Sequence, residues 1–175
     1  MTPPKSRLPR WITIWFAISL PILVWDVSFV LLRPHSMPGG DLAFLWKPYA
    51  KYVTVDLSYA DLHNGFVKAQ AIMTAIEVAI ALVALVFSYQ RRLSLATLLV
   101  FCVSVLTCAK TVLIMVIEVV TGLEHVGHNA VSDLVLLYFL PNGVWIIMPL
   151  LVSWATGRTL LRHWDAHDRR RPALG

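Results

Sequence analysis

The hydrophobic and polar positions of this chain fall into long blocks, in which four apolar runs are separated by shorter polar stretches. Each run consists mainly of Val, Ile, Leu, Ala, Phe and Trp and has about the 20 residues that an α-helix needs to cross a bilayer. No stretch between the runs has room for a second domain. The predicted fold is an all-α integral membrane protein, a four-transmembrane-helix bundle over about residues 11–160. Its predicted spans are about residues 11–32, 67–88, 95–120 and 132–155.

The composition agrees with this fold, since 58% of the residues are hydrophobic and only 14% are charged. Most Lys and Arg residues precede the first run, lie in the short connection at Arg91 and Arg92, or follow the fourth run. The third connection has none. The positive-inside rule then places residues 1–10, as an N-terminal segment, and residues 161–175, as a basic tail, in the cytosol. Topology thus explains the net charge of +5, and no nucleic-acid partner is expected.

Each apolar run contains a charged or amide side chain away from its ends, and these four are Asp26, Glu77, Lys110 and Asn142. An ionisable group in hydrocarbon costs about 3 kcal/mol on insertion scales, so it tends to face a protein interior or a cavity. With a rise of about 1.5 Å per residue, the four positions lie at similar depths, at the centre of the bilayer or in its luminal half. The bundle is therefore predicted to enclose an intramembrane cavity, in which Asp26 and Glu77 are the candidate catalytic residues.

Further candidates lie beside these positions, either next in sequence or at helical spacing. Together with Lys110, the predicted substrate-binding or cation-stabilising residues are Trp25, Met73, Thr74, Tyr138, Asn142 and Trp145. The first connection, residues 33–66, is rich in Trp, Tyr and Leu. That composition predicts a short helix across the mouth of the bundle.

Each polar position also has a purely structural interpretation. Glu77 and Lys110 can form an ion pair that serves only mutual neutralisation, and Asn142 can join two helices through hydrogen bonds. Glu118 is expected to extend to the membrane surface, because it lies near the end of its run. These interpretations leave Asp26 unexplained, so a functional cavity is the favoured hypothesis.

Neither a disulfide nor a metal site is expected. Cys102 and Cys108 share one run and point in different directions, which does not suit a disulfide. His125 and His128 lie in the third connection with only Glu124 beside them, which is too small a set for a typical metal site. No metal and no cofactor are therefore predicted.

Several motifs resemble the emopamil-binding protein family, whose members share the EXPERA domain. Asn142 is followed after two residues by Trp145 and, four residues later, by Pro149, as in the last helix of that family. Residues 45–51 are similar to the family's Trp-Lys-Glu-Tyr-Ala segment. The acidic positions of the first two runs also match, and the resemblance covers about residues 12–160.

The resemblance implies a bundle whose cavity opens sideways into lipid and holds a sterol-like or terpenoid molecule. It implies one of three activities: sterol Δ8–Δ7 isomerisation, terpenoid cyclisation, or non-catalytic sterol and lipid binding like that of the sigma-2 receptor. It also implies location in the endoplasmic reticulum. The chain departs from the isomerase pattern, because Ile22 stands where the family has His and the first acid is Asp26 rather than Glu. Lys110 lies near the position of a third-helix Asp of the isomerases.

These departures favour a cofactor-independent terpene cyclase or isomerase that acts on a prenylated or epoxidised substrate. Asp26 is expected to protonate that substrate, and Glu77 beside Lys110 to accept the final proton; the reverse assignment of the two carboxyls is the alternative. Aromatic rings are expected to stabilise the carbocation. The expected partners are a hydrophobic terpenoid or sterol and membrane lipid, and a homodimer remains open.

Overall fold

The computed structural model describes residues 8–168, with side chains to residue 166, and the regular elements of this part are all helices. Four helices are long and apolar enough to cross a membrane: α1 (Arg10–Leu31), α4 (Gly65–Tyr89), α5 (Leu93–Val120) and a last span over Val131–Ala166. This confirms the predicted all-α fold with four potential spans. The last helix continues beyond the predicted end near residue 155 and reaches Asp168.

The last span is a composite of three segments: α6 (Val131–Asp133), a π-helix (Leu134–Phe139) and α7 (Leu140–Asp168). Pro141 lies two residues after the end of the π-helix and has no N–H to donate to the preceding turn. The wider turn accommodates that missing hydrogen bond, and π-turns of this kind are frequent at functional sites.

The first connection folds into three short helices: a 3₁₀ helix (Ala43–Trp46), α2 (Tyr49–Val55) and α3 (Leu57–Ala60). They pack against the end of α1, where Trp46 and Tyr49 belong to one buried cluster with Phe29 and Val30. The Trp46 indole N–H also donates to the Trp25 carbonyl at 2.9 Å. The predicted short helix of this connection is therefore present and is tied to α1.

The long helices pack in the order α1, α4, α5 and α7, whereas α1 and α7 are not a closely packed pair. The Leu8 N–H donates to Ser88 Oγ at 3.2 Å, which ties the start of the chain to the end of α4. The start of α1, the α4–α5 connection and the last turns of α7 are called the terminal end. The opposite end, with residues 32–64 and 121–130, is called the loop end.

Apolar residues fill the terminal half of the bundle, where Ile12, Phe16, Val100 and Val152 belong to one buried cluster. Towards the loop end the interior becomes polar instead. The loop end is also where α4 begins at a capped position, since Asn64 Oδ1 accepts the Val67 N–H at 3.0 Å. The fold thus concentrates polar side chains in one half of the bundle.

Candidate functional site

A cavity of about 200 Å³ lies in the loop half, between the four long helices and beside α2 and α3. Polar side chains line it from each long helix: Asp26, Gln70, Thr74, Thr107, Lys110, Thr111 and Asn142. Aromatic side chains complete the wall: Tyr49, Tyr52, Tyr59 and Trp145. Five of the predicted site residues, Asp26, Thr74, Lys110, Asn142 and Trp145, therefore share one space.

Asp26 reaches this cavity from the second half of α1. Its Oδ1 accepts hydrogen bonds from the hydroxyls of Tyr49 and Tyr59, the latter at 3.4 Å. Its Oδ2 has no hydrogen bond to any described residue, and it is not among the buried atoms that lack a partner. Oδ2 is therefore the carboxyl oxygen that is open to the cavity.

The two tyrosines are held as hydrogen-bond donors. Burial raises the pKa of the Tyr49 and Tyr59 hydroxyls, and the neighbouring Asp26 carboxyl raises it further. Both hydroxyls are therefore protonated at neutral pH. Tyr49 also stacks on Phe29, with ring centroids 4.0 Å apart, and meets the Trp25 ring edge-on at 5.0 Å. This packing fixes the direction in which the Tyr49 hydroxyl points.

Glu77 lies behind the cavity wall and is only 2% exposed. Its Oε2 lies 3.0 Å from Lys110 Nζ and accepts the Thr107 hydroxyl at 2.8 Å. Lys110 donates at the same time to the Thr74 hydroxyl at 2.5 Å. Glu77 Oε1 is buried without a partner in the described part of the chain. Glu77 thus contacts the cavity only through neighbours that line it.

Asn142 and Trp145 reach the cavity from α7, just beyond the π-helix. Asn142 Nδ2 donates to the Tyr138 carbonyl at 2.9 Å within its own span. The alternative in which Asn142 joins two helices is therefore wrong for the described residues. Trp145 packs edge-on against Trp15 of α1, with ring centroids 5.5 Å apart.

Three other predicted site residues do not line the cavity. Met73 is 42% exposed on the outer face of α4, although the adjacent Thr74 faces inwards. Tyr138 is 1% exposed and packs beneath the third connection, where its hydroxyl has no partner among the described residues. The Trp25 indole N–H donates to the Leu45 carbonyl at 3.0 Å, so Trp25 supports the first connection and the Tyr49 ring.

Sequence reasoning missed several residues of the cavity wall, above all Tyr59, Gln70 and Thr111. It predicted a short helix in the first connection without recognising Tyr49 of that connection as a partner of Asp26. A signal was present, because a tyrosine in an apolar segment usually finds a hydrogen-bond partner for its hydroxyl when it is buried. An unpaired acid in the adjacent span is a natural acceptor for such hydroxyls.

The expected extension of Glu118 to the membrane surface is wrong. Glu118 is 5% exposed, and its Oε1 lies 2.8 Å from His125 Nδ1 while its Oε2 accepts the His125 N–H at 3.2 Å. His128 Nε2 lies 2.8 Å from the Thr54 carbonyl oxygen. The third connection folds back over the end of α5 and supplies these partners, so both histidines have structural roles.

Comparison of this chain with protein-family models, curated proteins and solved structures found no match. What the cavity can do chemically is therefore inferred from its own residues. An open carboxyl oxygen, an aromatic wall and a buried charge pair surround one space. That arrangement suits the transfer of a proton to and from an apolar molecule.

Proposed function

We propose that this chain is a cofactor-independent membrane isomerase or cyclase of terpenoids, whose reaction begins with proton transfer from Asp26 in an intramembrane cavity. One observation carries the proposal. Asp26 has one oxygen held by two tyrosine hydroxyls and the other open to a cavity with an aromatic wall. The resemblance to the emopamil-binding protein family supports the same class of reaction. We also propose that the protein lies in the membrane of the endoplasmic reticulum with both termini in the cytosol.

In the first step, the Asp26 carboxyl donates its proton to an alkene carbon or an epoxide oxygen of the substrate. The substrate becomes a carbocation, and Asp26 becomes a carboxylate. The hydroxyls of Tyr49 and Tyr59 then stabilise the new charge, since both remain donors. Hydrogen bonds to a charged group contribute about 1.5–3 kcal/mol each, which favours release of the proton.

In the last step, the carbocation loses a proton from a neighbouring carbon, and a new double bond forms. Lys110 lies between Glu77 and the cavity, so it is the group that receives this proton. Lys110 first passes one of its own protons to Glu77 and then regains one from the substrate, which leaves Glu77 neutral. Loss of that proton to water and reprotonation of Asp26 from water complete the cycle. Because the pair is neutral overall, it does not strongly repel the intermediate.

The aromatic wall stabilises the carbocation between these steps. Trp145 lines the cavity, and the edge-on contact with Trp15 holds its ring in place. A cation over such a ring gains about 2 kcal/mol when water is excluded. Asn142 Oδ1 makes no hydrogen bond to a described residue, so it is available to orient a substrate hydroxyl.

The size of the cavity favours a prenyl chain over a sterol. About 200 Å³ is less than the roughly 300–1,000 Å³ of sites that enclose a drug-sized ligand. Ile22 and Pro141 are exposed and line the cavity on α1 and α7, which are not a closely packed pair. The reacting end of a flexible substrate enters between these two helices, and its remainder stays in lipid.

A non-catalytic lipid-binding role is the second candidate. The burial of Glu77 behind the cavity wall favours it. A carboxylate that is satisfied by Lys110 and Thr107 resembles a structural ion pair more than a catalytic base. In that case the cavity would hold a lipid hydroxyl against Asp26 without proton transfer. The two candidates differ only in turnover.

The test uses membranes that contain the full chain, suspended in deuterated water. They are incubated separately with a polyunsaturated prenyl compound, its terminal epoxide and a Δ8 sterol, and the products are identified by mass spectrometry. Protonation of an alkene carbon leaves one deuterium bound to carbon. Protonation of an epoxide gives an isomer of unchanged mass, because deuterium on a hydroxyl exchanges during work-up.

We expect an isomerised or cyclised prenyl product that Asp26→Asn membranes do not form. Preferential conversion of the Δ8 sterol would replace the terpenoid substrate with a sterol. Binding of these compounds without any conversion would contradict an enzymatic function and support the lipid-binding candidate.

A further inference from the structure

A second cleft, of about 450 Å³, lies at the terminal end, between the start of α1, the first turns of α5 and the last turns of α7. Leu8 and Ile12 form part of its apolar floor. Arg162 and His163 of α7 line it as exposed side chains. The apolar core of the bundle separates this cleft from the Asp26 cavity, so the two spaces are independent.

The hydroxyl of a largely buried threonine opens into the cleft without a partner among the described residues. Thr97 is 3% exposed and lines the cleft, yet its hydroxyl makes no hydrogen bond to any described residue. Helical threonines usually donate to the carbonyl one turn earlier. Thr156 and Thr159 on the facing helix do so, at 2.7 and 3.0 Å. The Thr97 oxygen is not among the fully buried atoms that lack a partner, so it opens into the cleft and can donate to an acceptor placed there.

The backbone of the first turn of α5, which precedes Thr97, also favours an anion. Leu93 begins α5 and lines the cleft, and Arg92 at the N-cap provides no side-chain hydrogen bond to the first turn. The first N–H groups of a helix have no acceptor within the helix and carry the positive end of its dipole. These amides and the Thr97 hydroxyl lie one turn apart on the same helix.

Arg162 adds a free positive charge at the rim of the cleft. It has no ion pair or hydrogen bond with a described residue, and none of the acidic side chains that the structure describes lines the cleft. Arg158, one turn earlier, differs because its guanidinium lies over the Trp154 ring at 4.8 Å. Arg162 is therefore available to bind an anion, whereas Arg158 already has an aromatic partner.

We propose that this cleft binds the phosphate head group of one anionic phospholipid. The phosphate contacts Arg162, the Thr97 hydroxyl and the first amides of α5, and the glycerol lies on the apolar floor. A lipid fits better than a soluble anion because the cleft lies at the end of an apolar helix bundle, where a membrane surface would meet it. Its surroundings include the exposed side chains of Trp11 and Trp164, a residue type enriched at membrane interfaces. Basic pockets between helices are known head-group sites in membrane proteins.

The test compares lipids on the purified full-length protein in detergent micelles. Dioleoylphosphatidylglycerol or dioleoylphosphatidylcholine is titrated in, and the Tm is followed for the wild type, Arg162→Gln, Thr97→Val and Arg158→Gln. Arg158→Gln is the matched control, because it removes the same charge from the same helix outside the cleft. We expect phosphatidylglycerol alone to raise the Tm. We also expect Arg162→Gln to weaken its apparent affinity about fivefold, the effect of one basic side chain near a membrane surface.

Equal weakening in Arg162→Gln and Arg158→Gln, with no change in Thr97→Val, would overturn the site in favour of general surface attraction. An equal Tm rise with inorganic phosphate would overturn the lipid as occupant. Native mass spectrometry of the wild type gives a readout that needs no variant. Retention of one phosphatidylglycerol in preference to phosphatidylcholine is expected, and retention of neither would contradict the proposal.

Discussion

The two buried carboxyls of the loop half have opposite surroundings. Asp26 on α1 receives two neutral hydroxyls from the first connection and keeps one oxygen open. Glu77 on α4 receives an ammonium and a hydroxyl from α5 and is sealed from the cavity. An acid inside an apolar bundle is therefore not an active group by itself. Its neighbours decide whether it can donate a proton to a molecule in the cavity or exchanges protons only with a paired lysine.

Helix packing explains this difference. The Glu77 side chain extends from α4 into the interface with α5. These two helices are closely packed, so Lys110 of α5 can approach Glu77 directly. Asp26 lies on α1, which packs on α4 but leaves a gap towards α7. The first connection covers that edge and supplies tyrosines rather than a cation.

Replacement of Asp26 is expected to have the largest effect. Asp26→Asn keeps the shape of the side chain and still accepts hydrogen bonds from Tyr49 and Tyr59, but it has no acidic proton. Turnover should fall about 10²–10⁴-fold, as for loss of a general acid. The Tm should stay near that of the wild type, which shows that the variant is folded. Wild-type turnover in this variant would refute the assigned role.

Replacement of Glu77 should affect folding most. Removal of one partner from a buried ion pair costs about 3–5 kcal/mol, because the other charge is left uncompensated. Glu77→Gln should therefore lower the free energy of unfolding by about that amount, measured by chemical unfolding in micelles. Adding Lys110→Met removes the stranded charge and should restore much of the stability. If Glu77→Gln has the same free energy of unfolding as the wild type, Glu77 does not stabilise the fold through its ion pair with Lys110.

The tyrosines that hold Asp26 should have intermediate effects. Tyr49→Phe removes a hydrogen bond to the developing carboxylate, which is worth about 1.5–3 kcal/mol, so turnover should fall roughly tenfold to a hundredfold. Tyr59→Phe should have a smaller effect, because its oxygen lies 3.4 Å from Asp26 Oδ1. Tyr52→Phe is the matched control, since Tyr52 lines the cavity without a hydrogen bond to Asp26. Equal losses in all three variants would indicate a general packing effect.

The smallest effect is expected from Asp56, a carboxyl outside the spans. Burial raises its pKa above the usual 3.8, although the Ser58 hydroxyl and N–H oppose this. Because the folded pKa is raised, Asp56 contributes stability below 3.8 that is lost as the pH rises through the folded pKa. The Tm should therefore decline as the pH rises through this range. Asp56→Asn keeps the helix cap and should make that decline smaller. An unchanged pH dependence would contradict burial of a titrating Asp56.

The sequence predicted the parts of the site that depend on helix register and depth. Polar residues in apolar runs are few, so Glu77 and Lys110 could be paired by depth alone, and their contact is confirmed. Rotation about the helix axis was harder to predict. Thr74 and Met73 lie three and four residues before Glu77, so both lie beside it, but only Thr74 faces the cavity.

Contacts made through the connections were not predictable in this way. Tyr59 and Asp26 are 33 residues apart, and their contact depends on how the first connection folds over α1. Glu118 was misjudged for the same reason, because its partner His125 comes from a connection that folds back. Burial of a span end depends on the segment above it, which the pattern within the span does not reveal.

The most direct test of the contrast between the two carboxyls is labelling with dicyclohexylcarbodiimide, an apolar reagent that modifies accessible protonated carboxyls. The full-length protein is treated in membranes, and the modified residues are mapped by mass spectrometry. We predict a stable adduct at Asp26 that is absent from Asp26→Asn, and no adduct at Glu77. An adduct at Glu77 with Asp26 unmodified would contradict the account.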